Sequence, residues 1–109
     1  MKRGDIFRVY RGSKNDSKDH RVFVVVSRQE LIDNAFSTVV CAPVYSNYRE
    51  EIMTQVEVGT EEGLKHDSAI FCDDLTSIIK NRLTDYIGSL TDPKIEALNT
   101  ALRTALAIE

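Results

Sequence analysis

Nothing in this sequence runs apolar for long. The longest such stretches, Val22–Val26 and Val39–Val44, fall far short of the ~18 residues needed to cross a bilayer. Met1-Lys2-Arg3-Gly4-Asp5 opens no signal-peptide core, so a cytoplasmic protein is expected. Cysteine is scarce. Cys41 and Cys72 each lie inside an apolar run, where reduced core residues are expected rather than a disulfide framework. The usual cofactor motifs are missing as well: no Gly-x-Gly-x-x-Gly, no Walker loop, no Cys-x-x-Cys and no His-Glu-x-x-His. Dinucleotide, nucleoside-triphosphate and zinc sites therefore lose their ordinary supports, and neither a metal nor a cofactor is expected.

What is present suits one folded domain spanning residues 1–109. Hydrophobic residues make up 42% and charged residues 28%, enough to bury a core and still solvate a surface. The net charge of -3 conceals an imbalance. Through Arg28 there are eight basic and three acidic residues, and the remaining 81 residues hold six basic and fourteen acidic. An anionic ligand should meet the first quarter of the chain.

Val22–Val26 and Thr38–Tyr45 are short and Val-rich and predict strands. Asp5–Arg11 fits a first strand, and Gly12–His20, with no apolar residue, predicts a solvated loop. Ile52–Val58 alternates with period two. Further short strands are expected at Ser68–Cys72, Leu75–Ile79 and within Leu83–Leu90, with a helical turn inside Arg28–Phe36. Thr91-Asp92-Pro93 supplies an N-cap candidate and an early helical proline. From there Ile95, Leu98, Leu102, Ala105 and Leu106 mark one face of a helix reaching about Ala107. Closely spaced strands followed by one amphipathic helix predict a mostly β, small antiparallel barrel or curled sheet closed by a C-terminal helix.

Arg21 stands where the polar loop meets the most apolar strand. A guanidinium fixed there can hold a phosphate or stabilise a phosphorane, or simply guard the strand against aggregation. Tyr45-Ser46-Asn47-Tyr48-Arg49 offers aromatics, hydroxyls, an amide and a cation suited to unpaired bases, or forms an ordinary turn. Asp19-His20 and His66-Asp67 are either acid–base couples or solvated loop residues. Asp73-Asp74 resembles a cation site only weakly, because adjacent strand residues point to opposite faces.

Lys2-Arg3-Gly4-Asp5-Ile6, Arg21 leading Val22–Ser27, Val39–Val44, Lys65-His66-Asp67-Ser68-Ala69-Ile70, Leu83-Thr84-Asp85 and a C-terminal helix, taken in order, resemble the MazF/PemK family of toxin endoribonucleases. The resemblance implies an SH3-like barrel of the CcdB/MazF/PemK type and a homodimer. It also implies metal-independent, sequence-selective cleavage of single-stranded RNA through a 2′-hydroxyl and a cyclic phosphate, with inhibition by a cognate antitoxin whose disordered acidic segment fills the RNA groove. Carried over, Arg21 is the family's catalytic arginine, Tyr45 stands where a threonine is usual with Ser46 beside it, and Asp73 matches a proposed base. Lys14, Lys18, His20, Arg28, Asn47, Tyr48 and Arg49 are the expected RNA-binding residues. Val22 replaces a frequent proline, and Gly12–His20 lacks the family's Pro-x-x-Gly-x-Glu pattern, differences that bear on which RNA is cut. The alternatives are a CcdB-like toxin directed at a protein, or an interaction module of this fold with impaired catalysis.

Overall fold

The Val-rich segments form the centre of one curled antiparallel sheet. The computed structural model describes residues 1–10 and 20–109, and the loop expected over Gly12–His20 lies outside them except for His20, which begins a strand instead. The strands are β1 (Asp5–Tyr10), β2 (His20–Val25), β3 (Thr38–Tyr45), β4 (Gln55–Val58), β5 (Ser68–Phe71), β6 (Thr76–Ile79) and β7 (Asp85–Ser89). Two helices accompany them, α1 (Gln29–Asp33) and α2 (Asp92–Ala105). The sheet runs β4-β5-β3-β2-β1-β7, with β6 also paired to β3. This is the expected SH3-like barrel with one C-terminal helix.

Strand β3 holds the two halves together. One of its edges pairs with β2 from Val22–Val44 to Val25–Cys41. The other is shared: Thr38–Cys41 pair with β6, and Val44 and Tyr45 with β5. Pro43 falls between those two partners. Because the Val40 carbonyl turns toward β2 to accept from Val26 N–H at 3.0 Å, alternation puts the Pro43 nitrogen on the opposite edge, where its missing N–H breaks no rung.

The central strands are buried on both faces, which is why they read as continuous apolar runs rather than alternating ones. Ile6, Val24, Ala42 and Ile70 form the barrel interior, covered by Leu98 and Ala101 of α2. Phe7, Val25, Val39 and Cys41 face the other way, under Ile32, Ile78 and Leu83. Leu98 is fully buried, so its truncation to alanine should cost about 2–5 kcal/mol.

Strands β4 and β7 end the sheet, and the 3-10 turn Thr60–Glu62 bridges them. A Cβ at Gly88 would collide with the Glu62 carbonyl, and one at Gly63, whose φ is +95°, would come within 2.6 Å of the Ile87 oxygen. The barrel is closed there by backbone lying against backbone. Next to Gly88 at the end of β7, Ser89 donates its hydroxyl at 2.8 Å to the buried Asp5, which also accepts from Lys2 N–H at 2.9 Å. Gly4, at φ +93°, lies against Ile95. The Gly4-Asp5 pair thus has a structural role.

Several local expectations shift. The Ile52–Val58 alternation becomes a strand only at Gln55, and Ile52 and Met53 stand exposed before it. Leu106, expected on the apolar face of α2, is 53% exposed because the helix ends at Ala105, and Ala101 takes a buried place instead. Thr91 occupies the N-cap position without a side-chain capping bond, leaving Pro93 in the first turn as the local helix-start signal. Among the described residues, no helix is long and apolar enough to cross a membrane.

Candidate active site

Strand alternation fixes where Arg21 points. Phe23 and Val25 belong to the second core cluster, and Arg21, two residues before Phe23, lies on the same face at the outer end of β2. On β3 the corresponding set is Cys41, Pro43 and Tyr45. Continuing the Val22–Val44 register outward brings Arg21 level with Tyr45. The Arg21 guanidinium carbon lies 5.9 Å from the centre of the Tyr45 ring, a cation–π contact. On its other side the Tyr45 ring meets Phe71 edge-on, with centroids 4.8 Å apart at 81°.

Arg21 and Tyr45 line a cavity of about 420 Å³ together with Asp74, Thr76, Ser77 and Arg82, over an apolar floor that includes Val9 and Phe23. Arg82 is anchored by donation from Nη2 to the Tyr10 carbonyl at 2.7 Å. The Tyr10 hydroxyl in turn donates to Asp85 Oδ2 at 2.6 Å, and Arg8 lies 3.6 Å from Asp85 Oδ1. The hydrogen bond to Asp85 stabilises the neutral phenol and raises the Tyr10 pKa above its ordinary value. Two guanidinium groups, a phenol, two aliphatic hydroxyls and one carboxylate therefore border one cavity, a set that can bind a phosphodiester and move a proton.

The remaining expected site residues fall elsewhere. Asp73 does not line this cavity; it accepts from the Thr54 hydroxyl at 2.7 Å, and its neighbour Asp74 is the carboxylate beside Arg21. Both sit on the 3-10 turn Cys72–Asp74, which abandons the alternation of β5 and turns the two side chains to different surroundings. Ser46 and His20 line a separate cavity with Arg8, Lys65 and His66, on the other face of the β2–β3 ladder. Arg28 precedes α1, beyond the opposite end of β2 from Arg21.

Tyr48 lies beside Glu50, Glu57, Glu61 and Asp67. Burial, then Glu57, Asp67 and Glu50, raise its pKa. Arg49 lies beside Glu50, Glu51 and Glu57. That acidic surrounding repels RNA, so the structure does not group Tyr48 or Arg49 with Arg21. Asn47 is exposed and lines neither the Arg21 cavity nor the one containing Ser46. Lys14 and Lys18 lie outside the described residues.

Sequence reasoning missed Asp74, Thr76, Ser77 and Arg82. Only the pairing of β3 with β6 brings this stretch to Arg21, and no local pattern announces it. Cys41 and Cys72 are buried free thiols, as expected, and burial pushes their pKa values up to about 12 and about 11.

Comparison with known proteins agrees with this architecture. The chain is 31% identical to Endoribonuclease EndoA of Bacillus subtilis over 111 aligned positions, covering 99% of this chain and 96% of that protein. It is 28% identical to Endoribonuclease MazF of Staphylococcus saprophyticus, covering 99% and 92%. Among solved structures, a mycobacterial endoribonuclease in complex with its cognate antitoxin superposes with a TM-score of 0.84 at 26% identity, covering all of this chain and 97% of that one. The family profile described as PemK-like, MazF-like toxin of type II toxin-antitoxin system matches residues 2–106. On that nearly complete match, and on the barrel that carries it, the chain belongs to the PemK-like, MazF-like toxin family.

Proposed function

We propose that this protein is the toxin of a type II toxin–antitoxin system and an endoribonuclease that cuts single-stranded RNA, with Arg21 holding the scissile phosphate. The observation that carries this reading is the Arg21 guanidinium set over Tyr45 beside a cavity that also contains Arg82 and Asp74, in a chain whose relatives are named endoribonucleases.

The reaction needs no protein nucleophile. The 2′-hydroxyl of the ribose on the 5′ side of the cut attacks the phosphorus, the P–O5′ bond breaks, and a 2′,3′-cyclic phosphate and a 5′-hydroxyl result. Asp74 takes the 2′ proton. Arg21 and Arg82 oppose the charge that grows on the phosphorane oxygens. The Tyr45 hydroxyl donates a proton to the leaving 5′-oxygen and is reprotonated from solvent. The guanidinium groups supply the charge stabilisation that a metal supplies elsewhere, so cleavage is expected in the presence of a chelator.

The same reading makes the protein cytoplasmic, where mRNA is found, and homodimeric. It pairs the protein with a cognate antitoxin whose acidic segment competes with RNA for the arginine-lined groove.

The test is incubation of purified protein with a long single-stranded RNA in EDTA, beside Arg21→Ala, with the fragment ends mapped. Discrete cuts with cyclic-phosphate ends that vanish in the variant are expected. Arg21 is exposed, so the variant should stay folded. A folded Arg21→Ala protein that cuts as fast as wild type would overturn the site. Growth inhibition without RNA cleavage would point instead to a protein target.

A further inference from the structure

We propose that the cavity on the opposite face of the β2–β3 ladder from Arg21 is a nucleotide subsite, which holds the residue adjoining the scissile phosphate and selects its base. The proposal rests on the RNA-cleaving reading above. The placement follows from the ladder. Continuing the β2–β3 register outward brings Arg21 level with Tyr45, and His20 one rung further out level with Ser46. Successive rungs face opposite sides of the sheet. Arg21 and Tyr45 accordingly line one cavity, and His20 and Ser46 line the other. Both open where β2 begins and β3 ends, so a single RNA strand crossing that end of the ladder meets the two in succession.

The second cavity has the chemistry of a nucleotide pocket. Its volume is about 330 Å³, at the small end of ligand sites. Val22, Val44 and Ile87 give it an apolar wall for the flat face of a base. Arg8, Lys65 and two imidazoles border it, and among the described residues no carboxylate lines it. Part of the Arg8 charge is engaged by Asp85 at 3.6 Å, which leaves Lys65 as the principal cation for a phosphate. The buried Ser68 donates its hydroxyl to the His66 carbonyl at 3.0 Å, fixing the backbone of the segment whose Lys65 and His66 line the cavity. An acidic peptide would use the cations and leave the apolar wall bare. A nucleotide uses both.

Lys65 and His66 are exposed, so the double substitution Lys65→Ala/His66→Ala should leave the fold intact, which a thermal melt checks. Cut sites on a long single-stranded RNA are then mapped for wild type and the double variant, and kinetics are measured on a short RNA containing a wild-type site. Expected is a widened base preference beside the cut and a KM raised about tenfold, with kcat changed by less than threefold. An unchanged preference with an unchanged KM would overturn the subsite. If the wild type cuts nothing, the reading of function has failed separately, and the cavity is tested by binding. The probes are a fluorescent mixed-sequence RNA with 2′-O-methyl riboses and a glutamate-rich peptide. Loss of RNA binding in the double variant supports the subsite. Equal RNA binding by both proteins, no RNA binding by either, or loss of peptide binding alone overturns it.

Discussion

The Arg21 guanidinium stands 5.9 Å from the centre of the Tyr45 ring, one position beyond the Val22–Val44 pair that ends the β2–β3 ladder. A tyrosine thus stands where the family resemblance leads one to expect a threonine, and its ring supports the Arg21 guanidinium while its side chain brings a hydroxyl to the same cavity. Tyr45→Phe separates these roles, because it keeps the ring under Arg21 and removes only the hydroxyl. Cleavage by Tyr45→Phe should fall about 10²-fold in kcat with KM nearly unchanged, in line with loss of a proton donor. Tyr45→Ala should raise KM as well, since Arg21 then loses its support. Single-turnover kinetics on a short RNA substrate distinguish the two outcomes.

The two neighbouring aspartates should differ sharply. Asp74→Asn removes the carboxylate that lines the Arg21 cavity and should slow cleavage by about 10²–10⁴-fold. Asp73→Asn disturbs a hydrogen bond from Thr54 and should leave the rate within about threefold of wild type. Equal losses in the two variants would reassign the base.

Both thiols should be silent in the native protein. With pKa values pushed up to about 12 for Cys41 and about 11 for Cys72, neither offers much thiolate at pH 8. A chromogenic disulfide reagent should label neither before unfolding and both after it. These raised values also carry a stability consequence. The protonated forms are favoured in the folded state, so their contribution is complete below the unfolded thiol pKa near 9 and is lost as pH rises toward 11–12. The Tyr10 phenol, raised first by its hydrogen bond to Asp85, acts in the same direction at alkaline pH. The Tm should therefore decline above about pH 9, and Tyr10→Phe should lose part of that decline.

Barrel closure should be intolerant of a single methyl group. Gly88→Ala forces a Cβ into the Glu62 carbonyl, where backbone rather than a flexible side chain must yield. A loss of at least about 2 kcal/mol is expected by urea unfolding. Gly59→Ala, whose Cβ would meet an Asp67 carboxylate oxygen at 3.1 Å, should cost less because that side chain can move.

The strands were largely legible because their signal is local. Thr38–Tyr45 has the observed limits of β3, and Pro93 marks the start of α2 one residue after its first position. Ile52–Met53 misled because an alternating run continues past the point where a strand finds a partner, and β4 pairs with β5 only from Gln55. Arg21 stands out in the sequence for the same local reason: it is a lone cation at the head of an apolar strand. Tyr48 and Arg49, expected with it because aromatic and basic side chains suit RNA, lie instead among glutamates, surroundings that no local pattern announces.

The sequence by itself determined the β-rich class, the C-terminal helix, the burial of both cysteines and the face on which Arg21 emerges, because each depends on the alternation or helical period of adjacent residues. Tertiary structure alone decided that Asp74 rather than Asp73 shares the Arg21 cavity, that Arg82 joins it from some sixty residues away, and that His20 and Ser46 open onto a second cavity. The pairing of β3 with both β6 and β5 and the path of the Cys72–Asp74 turn make those choices. Long-range pairing and turn geometry leave no periodic trace in the chain.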